Sequence, residues 1–422
     1  MTEEFPAATV ASVTYIDASP EQIMKQHILV IGAGFGGVWT ALSAARMADL
    51  RGRTDIQITV LAPQEELRIR PRFYEPNVHE MKASLVELFQ ATGITFLKGT
   101  AANIDVANKR VEYGSAPGIQ SWISYDKLVL ATGSQVMRPS LDGIEHAFDV
   151  DQIEAAATLE RHIRALKDQP QSTARDTVVV CGGGFTGIET ATEMPARLRD
   201  ALGQDVKVNV IVVDRGGKIG AVLGEGISPS IAQASAELGV EWVLGVSVAS
   251  VDKGGVVLSD GRHIESNTVI WTVGFRASPL TEQIPGERDP LGRLYVDANL
   301  KVVGQDDIYA AGDVAYAATD DQGHYAAMSC QHAIALGRHA GNNVAAELLN
   351  VAPQAYSQPK YVTCLDLGAW GAVFTEGWDR ELKLVKEEAK KLKTDINTVW
   401  IYPPAADRAT ALASADPSIP VA

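Results

Sequence analysis

The chain has 422 residues, 46% hydrophobic and 21% charged, with a formal charge of −15. That acidity speaks against a nucleic-acid binder, which needs a basic face to displace counterions from phosphates, and the length implies two or three domains. No apolar run approaches the ~18 residues that span a bilayer, and residues 1–25 hold Glu3, Glu4, Asp17 and Glu21 where a leader would be basic and then apolar. A cytoplasmic protein with a flexible extension over 1–25 is expected.

Residues 27–31 predict a short buried strand, 36–48 a helix of small and apolar residues, and 55–61 a second strand. Between the first two runs lies Gly32-Ala33-Gly34-Phe35-Gly36-Gly37, a GxGxxG turn. Glycine is needed in such a turn because the chain bends tightly, lets its backbone approach a pyrophosphate and packs the next helix on the strand. Residues 125–134, YDKLVLATGS, read as a buried strand entering a tight turn, and 159–167 as helix.

A second GxGxxG turn, Gly182-Gly183-Gly184-Phe185-Thr186-Gly187, follows the run Thr177–Cys181. After it come a helix over 188–202, a strand over 206–213 ending at Asp214, a hairpin turning at Asp260-Gly261, and a strand over 268–273. Residues 308–313 read as a strand ending in Gly-Asp, 331–349 as helix, 361–378 as aromatic-rich strands, 381–393 as a charged helix, and everything after Pro403 as a disordered tail. One glycine turn alone is weak evidence, whereas two in the same strand-turn-helix context imply two nucleotide ligands. The fold class expected is α/β, with two Rossmann-like dinucleotide-binding domains, the second inserted in the first, and a small C-terminal region. The boundaries expected are 26–150 with 290–350 for the first domain, 151–289 for the second and 351–402 for the third.

Cys181, Cys330 and Cys364 form no CxxC and the histidines no HExxH, so neither a disulfide framework nor a metal site is expected. Arg68, Arg70 and Arg72 alternate along an expected strand, as a solvated edge or as a phosphate clamp. Trp370, Phe374 and Trp378 either roof an acceptor pocket or fill a core.

These segments, in this order, resemble the two-dinucleotide-fold flavoproteins of glutathione reductase type over roughly residues 27–350. The GGGFTGIE, TVGFRASPL and CQHA segments are most similar to type II NADH dehydrogenases, FAD enzymes that oxidise NAD(P)H and reduce a quinone. The resemblance implies an FAD site at Gly32, Gly34, Gly36, Gly37, Ala62, Ala102, Thr132, Gly133, Gly312 and Asp313. It implies a nicotinamide-nucleotide site at Gly182, Gly184, Thr186, Gly187, Asp214 and Gly274. Glu189, Cys330 and Gln331 fall where the family places residues beside nicotinamide and flavin, Glu189 in proton relay and the other two at a helix N-terminus suited to reduced flavin. In this scheme hydride passes from NADH to flavin N5 and electrons then reach a quinone or similar small acceptor.

The sequence departs from the family at several points. Val60-Leu61-Ala62-Pro63 lacks the usual ribose-binding acid, leaving Gln64 or Glu65 to reach the ribose. Asp214 favours NADH, while the adjacent Arg215 keeps NADPH open. His332 replaces a family glutamine, which puts the quinone pocket in question and leaves open a protein or specialised small-molecule acceptor, or a non-catalytic sensor. Cys330 with Cys364 would be the pair for a thiol relay, and His324 and His332 either flank the flavin or make structural hydrogen bonds. In the expected helix 381–393, Val385, Ala389 and Leu392, with Ile396 beyond, make only a narrow apolar stripe, fitting a surface helix better than a membrane contact. A peripheral membrane contact and a homodimer stay open.

Overall fold

The computed structural model describes residues 25–421, so all but the last residue of the expected N-terminal extension lies outside the described residues. A five-stranded parallel sheet runs in the spatial order Ile308–Ala310, Lys127–Leu130, Gln26–Ile31, Ile56–Ala62, Thr95–Lys98. Its central strands are apolar without alternation because both faces are covered, as parallel sheets require. A second parallel sheet, ordered Val240–Leu244, Asn209–Asp214, Thr177–Cys181, Thr268–Trp271, occupies the chain before Ile308–Ala310 completes the first. That late return is the insertion expected from the repeated glycine turns, and antiparallel meanders at 100–124 and 248–265 flank the two sheets.

Helix Phe35–Leu50 packs against helix Cys330–Leu348 at unusually short range. A Cβ added at Gly337 would lie 2.5 Å from the carbonyl oxygen of Gly36, and one at Gly341 2.1 Å from that of Thr40. The four-residue glycine spacing on one face thus fixes the N-terminus of Cys330–Leu348 beside the first glycine turn.

Three expectations are corrected. Residues 381–393 are not one helix: Glu381–Val385 is the edge strand of an antiparallel sheet with Val362–Asp366 and Ala372–Glu376, and a helix follows over Lys386–Asp395, closed by a π-helical turn at Ile396–Trp400. The polar-apolar alternation Glu381-Leu382-Lys383-Leu384 is a strand signal that the charge density obscured. The expected disordered tail contains helix Arg408–Ser414, capped by the Asp407 carboxylate accepting from the Thr410 amide, with Ala411, Leu412 and Ala415 buried in the main core. Finally, the arginine alternation is no continuous strand: Arg68 ends strand Glu66–Arg68, and Arg70–Arg72 is a 3-10 turn. These arginines pair with Glu154, Asp151 and Glu75 respectively.

Candidate active site

Both glycine turns open into one cavity of about 1300 Å³ between the two parallel sheets, larger than the ~300–1,000 Å³ of an ordinary single-ligand site. The turns repeat the same packing logic. A Cβ at Gly37 would sit 1.9 Å from the Gly32 carbonyl oxygen, and a Cβ at Gly187 1.9 Å from that of Gly182. These glycines therefore serve helix-strand contact and lie behind the cavity wall. Gly34 and Gly184 differ, because both have extended backbones that any residue adopts and an added Cβ would meet nothing within 4 Å. Both line the cavity. Protein packing gives no reason for glycine at either position, whereas a ligand pressed on the backbone does.

On the side of the first sheet the wall takes in Gly32, Gly36, Ala62, Thr132, Gly133, Gly312 and Asp313. The Thr132 hydroxyl is buried without a hydrogen-bond partner. Asp313 accepts a 2.6 Å hydrogen bond from Ser134, and burial raises its pKa despite the nearby Arg70. Ala102 is not brought to the site: it is exposed on strand Thr100–Asp105, where its carbonyl accepts from Gln283. Gln64 is on the wall as expected, but the acid there is Glu66, held by Arg68 and Lys82, rather than Glu65.

On the second side the wall takes in Gly182, Thr186, Asp214 and Gly274. Asp214 ends its strand with both carboxylate oxygens engaged, accepting from the amides of Gly183 at 2.6 Å and Gly216 at 2.7 Å.

Glu189 meets a partner that sequence reasoning missed. It lies in the first turns of helix Phe185–Leu202, 4% exposed, with Lys393 Nζ at 2.8 Å and the Asp366 amide donating at 3.1 Å. Burial pushes its pKa up to about 7; Lys393 opposes this and the negative charge of Asp366 adds to it. Burial works against the Lys393 charge too, but Glu189 beside it more than compensates and its pKa is raised. A carboxylate poised near neutrality on a cavity wall can take up and release protons at physiological pH. Lys393 falls four residues after the buried Ala389 on the inward stripe of its helix, and that spacing was the available signal. Asp366, which binds Lys390 at 2.6 Å and accepts from Tyr74, was not legible in the same way.

Cys330 and Gln331 open helix Cys330–Leu348 and line the cavity, and the Gln331 Oε1 is buried without a partner. Cys364 lines it as well, but burial pushes the Cys330 thiol up to about 11 and the Cys364 thiol to about 12, the opposite of what a reactive thiolate needs. His324 and His332 are not on the wall. His324 pairs with Asp320 and stacks on Trp378, while His332 is fully buried, bonded to Ser329, with its pKa lowered to about 4 by burial and then by Arg293. Trp370 packs in an apolar cluster with Ile188, Leu365 and Val373, and Trp378 stacks on Tyr361, which itself reaches the cavity. No metal-holding cluster of acids, histidines and cysteines occurs among the described residues.

Two Rossmann-type units whose glycine turns face one cavity define a two-nucleotide oxidoreductase. A family profile described as pyridine nucleotide-disulphide oxidoreductase matches residues 26–337. An NADH dehydrogenase-like protein of Mycobacterium tuberculosis is 43% identical over 401 residues, 93% of this chain and 98% of the relative. A type II NADH:quinone oxidoreductase of Staphylococcus saprophyticus is 24% identical over 347 residues, 76% of this chain and 82% of that one. The structure of NDH2 from Plasmodium falciparum in complex with NADH shares the fold, with a TM-score of 0.74 at 14% identity over 92% of this chain and 97% of that chain. The chain belongs to the pyridine nucleotide-disulphide oxidoreductase family, among its NADH dehydrogenase-like flavoproteins. Among the described residues no helix is long and apolar enough to cross a membrane.

Proposed function

We propose that this protein is an FAD-dependent NADH dehydrogenase that passes electrons to a quinone-type acceptor. The observation that carries the reading is the pair Gly34 and Gly184, two glycines that the protein's own packing does not require, on opposite sides of one cavity. The unpartnered Thr132 hydroxyl and Gln331 amide oxygen fit a ligand with its own polar edge on the first side. FAD would be held by the Gly32–Gly37 turn, Thr132, Gly133, Gly312 and Asp313, and NADH by the Gly182–Gly187 turn, Asp214 and Gly274. Together the two nucleotides supply hydride transfer and electron storage. The chain supplies alignment and protons.

Asp214 supports NADH over NADPH, because a carboxylate locked in place by two amides can accept from a ribose hydroxyl and repels a 2′-phosphate. Glu189 would hold the proton that a quinone takes up on reduction, with Lys393 keeping the carboxyl in place as it changes charge. The names of the relatives, an NADH dehydrogenase-like protein and an NADH:quinone oxidoreductase, support the same donor and acceptor classes. A peripheral membrane setting and a homodimer are compatible with this reading.

The test is anaerobic mixing. NADH should bleach the flavin of the purified protein, and a soluble benzoquinone or naphthoquinone should restore it faster than ferredoxin or dioxygen does. A flavin that binds but is not bleached by NADH would make the protein a nucleotide-binding sensor, and bleaching without reoxidation by quinones would move the acceptor to another class.

A further inference from the structure

Among the described residues the cavity wall carries five cationic side chains, and three are neutralised within the protein: Arg68 by Glu154, Arg70 by Asp151 and Lys393 by Glu189. Arg215 and Arg380 line the cavity with no carboxylate at ion-pair distance among the described residues. Arg215 adjoins Asp214, at the end where an adenosine ribose is expected. Arg380 comes from elsewhere in the chain, the hairpin between strands Ala372–Glu376 and Glu381–Val385, and has no role in the reading above.

Several contacts hold Arg380 in place. Its backbone is left-handed, φ +53°, a conformation that costs energy for a residue with a Cβ and persists only where surroundings enforce it. Its amide donates to Gly377 at 3.1 Å, and its carbonyl oxygen lies against Gly226, 3.3 Å from where a Cβ there would be. The guanidinium reaches across to the second nucleotide-binding unit, where Nη1 donates to the Leu223 carbonyl at 3.3 Å, with Tyr361 beneath it at 5.8 Å. Its Nε is buried with no partner. Leu223 shares an apolar cluster with Ile188, and Phe185 packs against that cluster; both belong to the start of helix Phe185–Leu202. The hairpin therefore delivers a guanidinium with unspent donors close to the helix N-terminus that the Gly182–Gly187 turn opens.

We propose that Arg380 pairs with the pyrophosphate of the bound nicotinamide dinucleotide, adding a charged clamp from the C-terminal hairpin to the amides of the Gly182–Gly187 turn. The inference rests on the nicotinamide-nucleotide reading of that turn. A pyrophosphate carries two negative charges on non-bridging oxygens that suit a guanidinium fork. A cation left unpaired on a confined wall is otherwise a cost without a return. Binding would also tie the C-terminal sheet to the second nucleotide-binding unit, since the ligand would link Arg380 to the Gly184 turn.

The test is equilibrium binding to the full-length flavin-loaded protein, comparing wild type, Arg380→Met and Arg380→Lys. The probe is ADP-ribose, which has the pyrophosphate but no nicotinamide; adenosine, which has no phosphate, is the control. Arg380→Met should weaken ADP-ribose by about tenfold, the low end for losing a charge-assisted contact, and leave adenosine unchanged. Arg380→Lys should recover part of the loss and retain a salt dependence that Arg380→Met lacks. If Arg380→Met fails to fold, Arg380→Lys decides alone, since loss of the fork with the charge kept should still weaken ADP-ribose severalfold. ADP-ribose affinity within about twofold of wild type in the variants would overturn the proposal, as would a rise in acceptor KM with ADP-ribose binding unchanged. Failure of the wild type itself to bind ADP-ribose would instead overturn the nicotinamide reading of the second turn.

Discussion

Lys393 Nζ lies 2.8 Å from Glu189 Oε1, joining a helix of the second nucleotide-binding unit to helix Lys386–Asp395 across 204 positions of chain, with both side chains almost fully withdrawn from solvent. A buried pair of this kind is weak evidence for stability, because two desolvation costs offset the attraction. Its position on the wall of the cavity points to chemistry.

If Glu189 carries the proton, Glu189→Gln should leave flavin content and the bleaching by NADH near wild type. Reoxidation by a quinone should slow by about a hundredfold or more, as the ~10²–10⁴ typical of acid-base groups implies. The wild-type pH profile of reoxidation should bend near the pKa of about 7 held by Glu189. Lys393→Met removes the adjacent cation, which lowers that pKa, so the bend should move upward, whereas Asp366→Asn removes a charge that raises it and should move the bend down. Stopped-flow absorbance across pH 5–9 measures all three, and an unchanged profile in every variant would leave Glu189 a structural residue.

The same shift makes a stability prediction with a definite sign. The carboxyl is easier to protonate in the folded chain than its ordinary value of 4.5, so its contribution is fully present below that value and is lost as pH rises through about 7. Denaturant melts should show wild type losing stability relative to Glu189→Gln between pH 5 and pH 8. His332 acts in the reverse direction: its pKa, lowered to about 4, favours the folded state at neutral pH, and that contribution is lost as pH falls from about 6.5 toward 4. Comparing each variant with wild type separates the two.

The nucleotide-binding turns were legible because a local rule, strand then glycine turn then helix, dictates both the fold and the ligand. That rule put Gly34 and Gly184 on what became a single wall, and the family resemblance added Thr132, Asp214 and Glu189 to it. Lys393, Asp366 and Arg380 could not be found this way, since Lys393 and Arg380 reach the cavity, and Asp366 reaches Glu189, from the C-terminal sheet and helix through contacts with no sequence proximity. Lys393 was hidden by its neighbours, for in a run of six lysines and glutamates only the helical phase set by Ala389 distinguishes the one that points inward. The cysteines show the opposite failure: residue type suggested reactivity, and burial argues against it.

Gly34 and Gly37 should respond in opposite ways to the same small change. Gly34→Ala adds a methyl group that the protein accommodates, so apoprotein stability should stay within about 0.5 kcal/mol of wild type or rise slightly, while flavin affinity falls. Gly37→Ala drives a Cβ to 1.9 Å from the Gly32 carbonyl oxygen and should destabilise the apoprotein itself. Calorimetry of the apoproteins and flavin retention on gel filtration check both. Equal flavin affinity in Gly34→Ala would remove the main support for a ligand on that turn.

Asp214→Ser should lower kcat/KM for NADH and raise it for NADPH, narrowing or reversing the preference. The serine retains one acceptor but loses the charge that repels a 2′-phosphate. Because the carboxylate also holds the Gly183 and Gly216 amides, some loss with both nucleotides is expected as the turn loosens. A wild type that already prefers NADPH would assign the site to Arg215.

The C-terminal helix Arg408–Ser414 offers a test remote from the chemistry. Leu412 is 6% exposed in the main core, Arg408 reaches Asp49 and the Ala91 carbonyl, and Asp416 pairs with Arg46. The Asp49 and Arg46 contacts brace helix Phe35–Leu50, which Gly34 immediately precedes. Leu412→Ala should therefore cost about 2–5 kcal/mol, the range for truncating a buried leucine, and lower the temperature at which flavin is released. At 25 °C the surviving holoprotein should turn over at the wild-type rate, because no residue of this helix lines the cavity. Asp416→Ala should cost less, since its partner Arg46 and Asp416 itself are both partly open to solvent. Thermal melts followed by flavin fluorescence distinguish the outcomes. A Leu412→Ala protein that melts with wild type would mean that the residues after Pro403 contribute nothing to the core, as their alanine- and proline-rich sequence first suggested.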